Sequence, residues 1–275
     1  MTTDPAIREL AFVLRACGRV AVAVSGGVDS LTLATLAHRE LREAARMYHA
    51  VSPAVPVEAT ARTKRLAQAE GWSLHVIDAG EFADPDYRRN PANRCFFCKT
   101  NLYSAIAAST DRQILSGTNL DDLREFRPGL HAARRHCVRH PYVEVGIDKR
   151  SVRRIAAALG LGEIAELPAA PCLASRVETG IRIEVPMMRV VHEAEQLVSQ
   201  ELGALGPAAA VRCRVRASGI VVELDQGSWE KLDAAAETRL RERLLDVLSR
   251  AGLARPVSFA AYQAGSAFLR DAPGP

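Results

Sequence analysis

Short apolar runs alternate with stretches of helical periodicity between residue 5 and about residue 160. Four runs of this kind predict buried strands: RVAVAVS (19–25), MYHAVS (47–52), WSLHVID (72–78) and RQILSG (112–117). The amphipathic segments between them predict helices that end near Arg46, Glu70 and Ala108. Strands that alternate with helices are typical of a parallel sheet with helices on both faces. We therefore predict an α/β fold for this part of the chain.

The pattern changes after a helix that is predicted over residues 149–159. The proline-rich segment LPAAPCLASR (167–176) predicts a boundary loop. The elements beyond it follow a different order: a strand IRIEV (181–185), a helix from Pro186 to about Leu205, a hairpin of VRCRVRA and GIVVEL, a helix from Ser228 to about Ala251, and a strand VSFAAY. This order predicts a smaller α+β unit. We therefore divide the chain into domains of residues 1–170 and 171–275.

The composition is that of an ordinary globular protein, with 275 residues of which 48% are hydrophobic and 25% charged. No apolar run approaches the roughly 20 residues that span a bilayer. The N-terminal segment MTTDPAIREL lacks the apolar core of a secretory signal. We therefore expect a cytoplasmic protein with no membrane partner.

The net charge of +4 is too small to indicate a nucleic-acid partner by itself. Nearly all of the basic residues are arginines, whose planar guanidinium suits carboxylates and phosphates. The same bias would also follow from the base composition of the gene. We expect small anionic ligands rather than nucleic acid.

The segment SGGVDS (25–30) lies where the first predicted strand ends and the first helix begins. Gly26 and Gly27 let the backbone turn so that N–H groups face one concavity, and the helix N-terminus adds positive potential. The Ser25 and Ser30 hydroxyls suit phosphate oxygens, and Asp29 suits Mg²⁺. The Walker lysine is absent, which excludes a kinase-type phosphate loop. A plain Gly-Gly turn is the alternative to this predicted phosphate site.

This loop resembles the pyrophosphate loop of the N-type ATP pyrophosphatases, which split ATP into AMP and pyrophosphate to adenylate a carbonyl or carboxyl oxygen. Further segments resemble the LarE-type sulfur transferases in order and spacing: NRCFFCK (93–99), GTNLDD (117–122), RPG (127–129), EVGIDKRSVRRIAAALGL (144–161), PCLASR (171–176), RCR (212–214) and YQAGS (262–266). The resemblance implies a pyrophosphate-loop fold, use of ATP and Mg²⁺, and a homo-oligomer. It also implies insertion of sulfur into pyridinium dicarboxylate mononucleotide, with sulfide or another small donor, on the route to a nickel-pincer nucleotide.

The segment GTNLDD follows the fourth predicted strand, so its loop lies at the same sheet edge as SGGVDS. This placement makes several residues candidate nucleotide or magnesium contacts: Gly117, Thr118, Asn119, Asp121 and Asp122. The alternative is a helix cap whose acidic residues favour the helix dipole. Many members of the family carry an acidic residue where this chain has Ser116. Lys99 is either a phosphate contact or an ordinary surface lysine.

Six cysteines in a reducing compartment do not predict a disulfide framework, and Cys95 and Cys98 form a C-x-x-C pair. The resemblance implies that Cys172 is catalytic. It either gives up its own sulfur or joins Cys95 and Cys98 in holding a [4Fe-4S] cluster, whose fourth iron is left for an external sulfide. A zinc site, a metal-free persulfide relay and buried inert thiols are the alternatives. We expect Cys17 and Cys213 in the core and leave Cys137 open.

A substrate with a phosphate and carboxylates needs cations, for which we select Arg176, Arg212 and Arg214. The last two lie on one strand face because they are two residues apart. A solvated arginine face is the alternative. Glu184 and Asp225 resemble acidic residues near the sulfur-transfer site of the family.

These features predict an ATP-dependent sulfur transferase in which Asp29 and Cys172 take part in the reaction. Two other functions stay open at this point. One is a tRNA-thiolating enzyme with the same loop, and the other is a non-catalytic protein that binds a nucleotide or a metal.

Overall fold

The computed structural model describes residues 4–203, 210–263 and 265–268. The chain divides into two compact units. Described residues of the first unit fall within Met1–Glu81 and Asn93–Ala170, and those of the second within Phe82–Ala92 and Pro171–Pro275. The short segment 82–92 therefore groups with the C-terminal part of the chain. The division into domains at residue 170 stays a prediction about independently folding parts.

The first unit contains a four-stranded parallel sheet with the order β3-β2-β1-β4. Its strands are β1 (Val20–Ala23), β2 (Ala45–Ala50), β3 (Ser73–Ile77) and β4 (Gln113–Ser116). The central strand β1 is buried on both faces, as expected for a parallel sheet covered by helices. The predicted α/β class is confirmed.

Helices precede and connect these strands. Those of the first unit are α1 (Pro5–Cys17), α2 (Val28–Leu41), α3 (Val57–Glu70), α5 (Arg94–Ser109), α6 (Gly129–Arg135), α7 (Pro141–Glu144), α8 (Lys149–Ala158) and α9 (Gly162–Ala165). The aspartates Asp4 and Asp148 cap α1 and α8 by accepting backbone N–H bonds. The main core lies between α1, α2, α8 and the sheet, around Leu10, Leu33 and Ile155.

The second unit contains a three-stranded mixed sheet, β5-β6-β7, in which β5 and β6 are antiparallel and β6 and β7 parallel. Its strands are β5 (Val211–Arg216), β6 (Gly219–Leu224) and β7 (Val257–Ala261). Its helices are α4 (Pro85–Arg88), α10 (Val185–Gly203), α11 (Gln226–Lys231) and α12 (Ala234–Arg250). The predicted hairpin forms between β5 and β6 and turns at Ala217 and Ser218.

The segment 82–92 is joined to the rest of the second unit by the buried side chain of Asn90. Its amide nitrogen donates to the carbonyl oxygens of Glu178 at 2.8 Å and Ile181 at 3.0 Å. Its own carbonyl accepts from the Gly180 N–H at 2.9 Å. Asn90 has φ of 56°, a left-handed conformation that Asn tolerates better than most residues.

Two expectations for the second unit are wrong. Residues 181–185 form no strand, because the Ile183 N–H donates to the Arg88 carbonyl of the 82–92 segment rather than to a sheet. The helix expected over 228–251 is two helices, α11 and α12. The break occurs because the Asp233 side chain accepts from the Ala236 N–H and starts a new helix.

Within the described residues, no helix combines the length and the apolar character that crossing a lipid bilayer requires.

Candidate functional site

The loop between β1 and α2 is held closed by its two serines. The Ser25 N–H donates to Ser30 Oγ at 3.0 Å, the two hydroxyl oxygens lie 3.1 Å apart, and Ser30 Oγ donates to the Gly27 carbonyl at 3.1 Å. Ser30 is buried and Ser25 is exposed. The helix α2 begins with Gly27 as its N-cap and without a side-chain cap. This end of the helix therefore keeps backbone N–H groups available for an anion.

Glycines at two positions of this sheet edge allow close backbone contacts. Gly26 has φ of 83°, and a Cβ there would lie 2.7 Å from the Ala59 carbonyl oxygen of α3. A Cβ at Gly117 would lie 2.9 Å from the carbonyl carbon of Asp29 and 2.9 Å from the nitrogen of Ser30. The loop after β4 is therefore pressed against the first turn of α2. This contact places the GTNLDD loop beside the SGGVDS loop.

The Asp29 carboxylate is the centre of the resulting hydrogen-bond network. Its Oδ1 accepts from the Asn119 amide at 3.1 Å, and its Oδ2 forms an ion pair with the Lys149 ammonium group. The Tyr142 hydroxyl donates to the Asp29 carbonyl oxygen at 3.0 Å. Burial, reinforced by the Asp29 charge, holds the pKa of Tyr142 well above its ordinary value, so the hydroxyl keeps its proton.

Lys149 is the first residue of α8, a position where a positive charge opposes the helix dipole. Its backbone N–H donates to the Asp121 carboxylate at 2.9 Å, while its side chain reaches Asp29. Opposite charges within contact distance stabilise both ions in a half-buried site. The unfavourable placement at the helix end is thus offset by Asp29 and Asp121.

Asp122 accepts from the Asn119 N–H at 3.0 Å and forms an ion pair with Arg127 at 2.7 Å. Burial raises the pKa of Asp122 above its usual value, and repulsion from Asp29 adds to the increase. The Asn119 N–H and the Arg127 guanidinium oppose this effect. A cation bound near two carboxylates that repel each other would be stabilised by both charges.

Ser116 and Thr118 form a second hydrogen-bonded group at the end of β4. Their hydroxyl oxygens lie 2.9 Å apart, and Ser116 Oγ lies 3.0 Å from His140 Nδ1. Burial lowers the pKa of His140, so the neutral imidazole is favoured. Thr118 therefore faces Ser116 and is not part of the Asp29 network.

The structure brings most of the predicted phosphate and magnesium residues to one sheet edge: Ser25, Gly26, Gly27, Asp29, Ser30, Gly117, Asn119, Asp121 and Asp122. Sequence reasoning missed Lys149 and Tyr142, and it considered His140 only as a possible zinc ligand. Lys149 carried a usable signal, because a lysine in the first turn of a helix opposes the helix dipole.

The three cysteines of interest are divided between the two units. Cys95 and Cys98 are half-buried in the first turns of α5 in the first unit, where a spacing of three residues places them on one helix face. Cys172 is exposed in the second unit, directly before a turn of 3₁₀-helix over Leu173–Arg176. In the ranges that the structure describes, no group of three Cys, His, Asp or Glu side chains is arranged to hold a metal ion.

Arginines and glutamates form a buried network in the second unit. Arg176 is 3% exposed and pairs through two nitrogens with Glu195 of α10, at 2.8 Å and 3.1 Å. Arg214 of β5 is 4% exposed and pairs with Glu223 of β6 at 2.9 Å. Glu223 also accepts from Arg216 at 3.0 Å. These arginines are therefore held rigidly by carboxylates on neighbouring elements.

Arg212 lies on the same face of β5 but is only half-buried. Burial lowers its pKa, and repulsion from the Arg176 charge adds to this effect. The cluster thus contains four arginines (176, 212, 214 and 216) and three glutamates, Glu178, Glu195 and Glu223. The excess of positive charge favours an anion at this face.

The backbone of Cys172 is hydrogen-bonded to this arginine cluster. Its carbonyl oxygen accepts from Arg176 at 3.2 Å and from the Ser175 N–H at 2.9 Å. Glu184, by contrast, is exposed and pairs with Arg88 and Arg182, each at 3.2 Å. Asp225 is the N-cap of α11 and accepts from the Ser228 N–H at 3.1 Å. The structure therefore joins Cys172 to Arg176 and gives Glu184 and Asp225 structural contacts.

Comparison with known proteins identifies three relatives, while no protein-family model matches the chain. An uncharacterized protein of Synechocystis is 38% identical over 181 residues, which cover 64% of this chain and 67% of the relative. An uncharacterized protein of Methanocaldococcus jannaschii is 25% identical over 211 residues, which cover 75% and 78%. The pyridinium-3,5-bisthiocarboxylic acid mononucleotide synthase of Lactiplantibacillus plantarum is 27% identical over 157 residues, which cover 55% and 57%.

The close contact at Gly117 predicts a difference between two glycine substitutions. Gly117→Ala should lower the free energy of unfolding of the first unit by about 2 kcal/mol, because its Cβ would meet backbone atoms. Gly27→Ala should cost about 0.5 kcal/mol, since the nearest atom to its Cβ is Ser25 Oγ at 3.7 Å. Urea unfolding followed by Trp72 fluorescence in a Trp229→Phe background reports on this unit alone. Equal losses for both variants would show that the contact is unimportant.

Proposed function

We propose that the chain is a LarE-like ATP-dependent sulfur transferase, on the basis of its partial similarity to the named relative from Lactiplantibacillus plantarum. Its substrate in this proposal is pyridinium-3,5-dicarboxylate mononucleotide, and its product carries a thiocarboxylate. The observation that carries the proposal is the position of the Asp29 carboxylate. It is held by Asn119 and Lys149 beside the start of α2, where backbone N–H groups are available for an anion. The named relative from Lactiplantibacillus plantarum makes a product of this class.

The first unit would bind ATP at the carboxyl edge of its sheet. The backbone N–H groups at the start of α2 suit the phosphates of ATP, because they lie at the positive end of the helix dipole. Asp29 offers an oxygen ligand for the Mg²⁺ that accompanies ATP. In this proposal the Lys149 ammonium group exchanges Asp29 for a phosphate oxygen when the nucleotide binds. The repulsion between Asp29 and Asp122 would also be relieved by the metal ion.

The reaction needs a good leaving group on the substrate carboxyl carbon. A carboxylate oxygen attacks the α-phosphorus of ATP, the bond to pyrophosphate breaks, and an acyl-adenylate forms. Sulfide then attacks the acyl carbon, and AMP departs with the former carboxylate oxygen. Preorganised cations contribute most to such steps, since charge builds up on the phosphate oxygens. Lys149 is the candidate for this role.

The arginine cluster of the second unit would bind the phosphate or carboxylates of the mononucleotide. Arg176 and Arg214 are buried and already paired with glutamates, so we assign them to positioning. Arg212 is half-buried and is the candidate for direct contact with the substrate. Because Arg176 also holds the Cys172 carbonyl, the cluster fixes the backbone beside a thiol.

Cys95, Cys98 and Cys172 are the proposed ligands of a [4Fe-4S] cluster. The two thiols on one face of α5 fit part of its ligand set. When bound, such a cluster supplies an iron that carries an exogenous sulfide. In the competing account, the Cys172 side chain itself gives up its sulfur, which permits one turnover per chain.

The direct test of the proposed function is product formation. The anaerobically purified chain, incubated with ATP, Mg²⁺, sulfide and the dicarboxylate mononucleotide, should release pyrophosphate and yield a thiocarboxylate detectable by mass spectrometry. Asp29→Asn should abolish both products, whereas Asp246→Asn on the exposed face of α12 should change neither. Thiolation of tRNA in place of the mononucleotide would contradict the substrate assignment. Absence of pyrophosphate release with either acceptor would favour a non-catalytic binding protein.

The Lys149 assignment predicts a selective loss of ATP affinity. Lys149→Met should weaken ATP binding by about tenfold, because a cation near the β- and γ-phosphates is removed. AMP binding should change less than about twofold, since AMP lacks these phosphates. Arg150→Met, which removes the exposed next residue, is the matched control. Calorimetric titration measures both ligands, and parallel losses for ATP and AMP would assign Lys149 a structural role only.

The cysteine assignment predicts which thiols are needed to retain iron. After anaerobic reconstitution, Cys95→Ser, Cys98→Ser and Cys172→Ser should each lose iron and acid-labile sulfide, because one cluster ligand is removed. Cys137→Ser should keep the iron content of the unaltered chain. Low iron in the unaltered chain, together with conversion of Cys172 to dehydroalanine after turnover, would establish the sacrificial mechanism instead.

A further inference from the structure

A polar cavity lies in the first unit, at the edge of the sheet opposite to the candidate ATP site. Its walls include the starts of β1 and β4, whereas the SGGVDS and GTNLDD loops follow the ends of these parallel strands. The cavity is open to solvent and has a volume of about 540 Å³. This volume lies within the usual range for small-molecule sites. None of its lining residues was needed for the proposed function.

Positive charge is concentrated at this cavity. Arg19 and Arg112 line it, and Asp111 is the single carboxylate among the lining residues in the described part of the chain. Burial lowers the pKa of Arg112, and repulsion from Arg46 and Arg19 lowers it further. Arg19 and Arg46 thus each repel Arg112 at the strand starts. An anion bound between them would relieve this repulsion.

Arg112 is held in place through both of its terminal nitrogens. Its Nη1 donates to the Ala44 carbonyl and its Nη2 to the Glu43 carbonyl. Its Nε is buried and has no hydrogen-bond partner among the described residues. An unpaired buried donor costs free energy unless a ligand or water satisfies it. Arg112 is therefore a fixed cation in the lining of the cavity.

Two cysteines in different environments contribute to the same wall. Cys17 lies at the end of α1, where its sulfur accepts from Arg139 Nη1 at 3.0 Å. Burial raises the pKa of the Cys17 thiol, which makes it a poor nucleophile. Cys137 is exposed and follows the last turn of α6. Cys137 is therefore the accessible thiol of the cavity.

The backbone of Cys137 is held in a conformation that normally calls for glycine. Its φ is 51°, and it closes α6 with bonds from the Cys137 N–H to Arg134 and from the Val138 N–H to Ala133. The Gln113 amide donates to its carbonyl at 2.7 Å. A left-handed residue with a side chain costs about 1 kcal/mol. Such strain is typical of functional positions. Cysteine at this position carries a thiol, which glycine would lack.

We propose that this cavity binds an anionic low-molecular-weight thiol and that Cys137 exchanges with its disulfide form. The carboxylates of the ligand would contact Arg19 and Arg112. The Cys137 thiolate attacks one sulfur of the ligand disulfide, a new bond joins Cys137 to that half, and the other half departs as a thiolate. The proton lost from Cys137 passes to solvent or to the departing thiolate. The disulfide is the only oxidant consumed.

The test compares two disulfides at two cysteines of the same chain. The full-length protein is treated with oxidised glutathione, which carries carboxylates, and with 2-hydroxyethyl disulfide, which is neutral. Peptide mass spectrometry then gives the rate at which each reagent modifies Cys137 and the exposed Cys172. Each rate is divided by the rate at which the same reagent modifies a cysteine in a short unstructured peptide. We expect Cys137 to prefer oxidised glutathione by roughly tenfold after this correction, because the arginines concentrate the anionic reagent.

Arg19→Gln should remove most of this preference at Cys137 and leave the rates at Cys172 unchanged. Arg19 is suited to this test because its side chain is 61% exposed and makes only a 3.3 Å pair with Asp111. Cys17→Ser should leave the preference at Cys137 intact. Equal corrected rates for the two reagents at Cys137, or a preference that persists in Arg19→Gln, would overturn the proposal. These readouts need neither ATP nor the mononucleotide, so they stand or fall independently of the sulfur-transfer reaction.

Discussion

The absence of a side chain at Gly117 is the constraint on which the candidate ATP site depends. It allows the loop after β4 to lie against the backbone of Asp29 and Ser30. Only with this contact does the Asn119 amide reach the Asp29 carboxylate from a loop 90 residues away in sequence. Lys149 completes the group from the start of α8. The site is therefore a consequence of backbone packing between two parallel strands that end side by side.

Sequence reasoning predicted the parallel sheet and the edge at which the two loops meet, because hydrophobic runs and glycines act locally. It did not predict Lys149 or Tyr142, whose contacts with Asp29 join segments more than 100 residues apart. The strand expected over 181–185 failed for a similar reason. Its alternation is strand-like, but the Ile183 N–H is satisfied by Arg88 of a distant segment. Tertiary partners of this kind are not encoded in local periodicity.

In the second unit, the burial of each arginine determines whether it orients neighbouring groups or is available to a ligand. The spacing of Arg212 and Arg214 correctly suggested that both lie on one strand face. It could not reveal that Arg214 is buried in an ion pair with Glu223, whereas Arg212 is only half-buried. Buried arginine–carboxylate pairs orient neighbouring groups, whereas a half-buried guanidinium beside another cation attracts a ligand. In our account the glutamates Glu195 and Glu223 hold the cluster in shape, and the Cys172 backbone is fixed through Arg176.

The central claim is that ATP activates a carboxylate by adenylation before sulfur is inserted. The most direct measurement uses a mononucleotide whose carboxylates carry oxygen-18, incubated with the anaerobic protein, ATP, Mg²⁺ and sulfide. The account predicts that each sulfur inserted transfers one labelled oxygen from the substrate to the phosphate of AMP. Formation of the thiocarboxylate with unlabelled AMP, or with the label in orthophosphate, would contradict it.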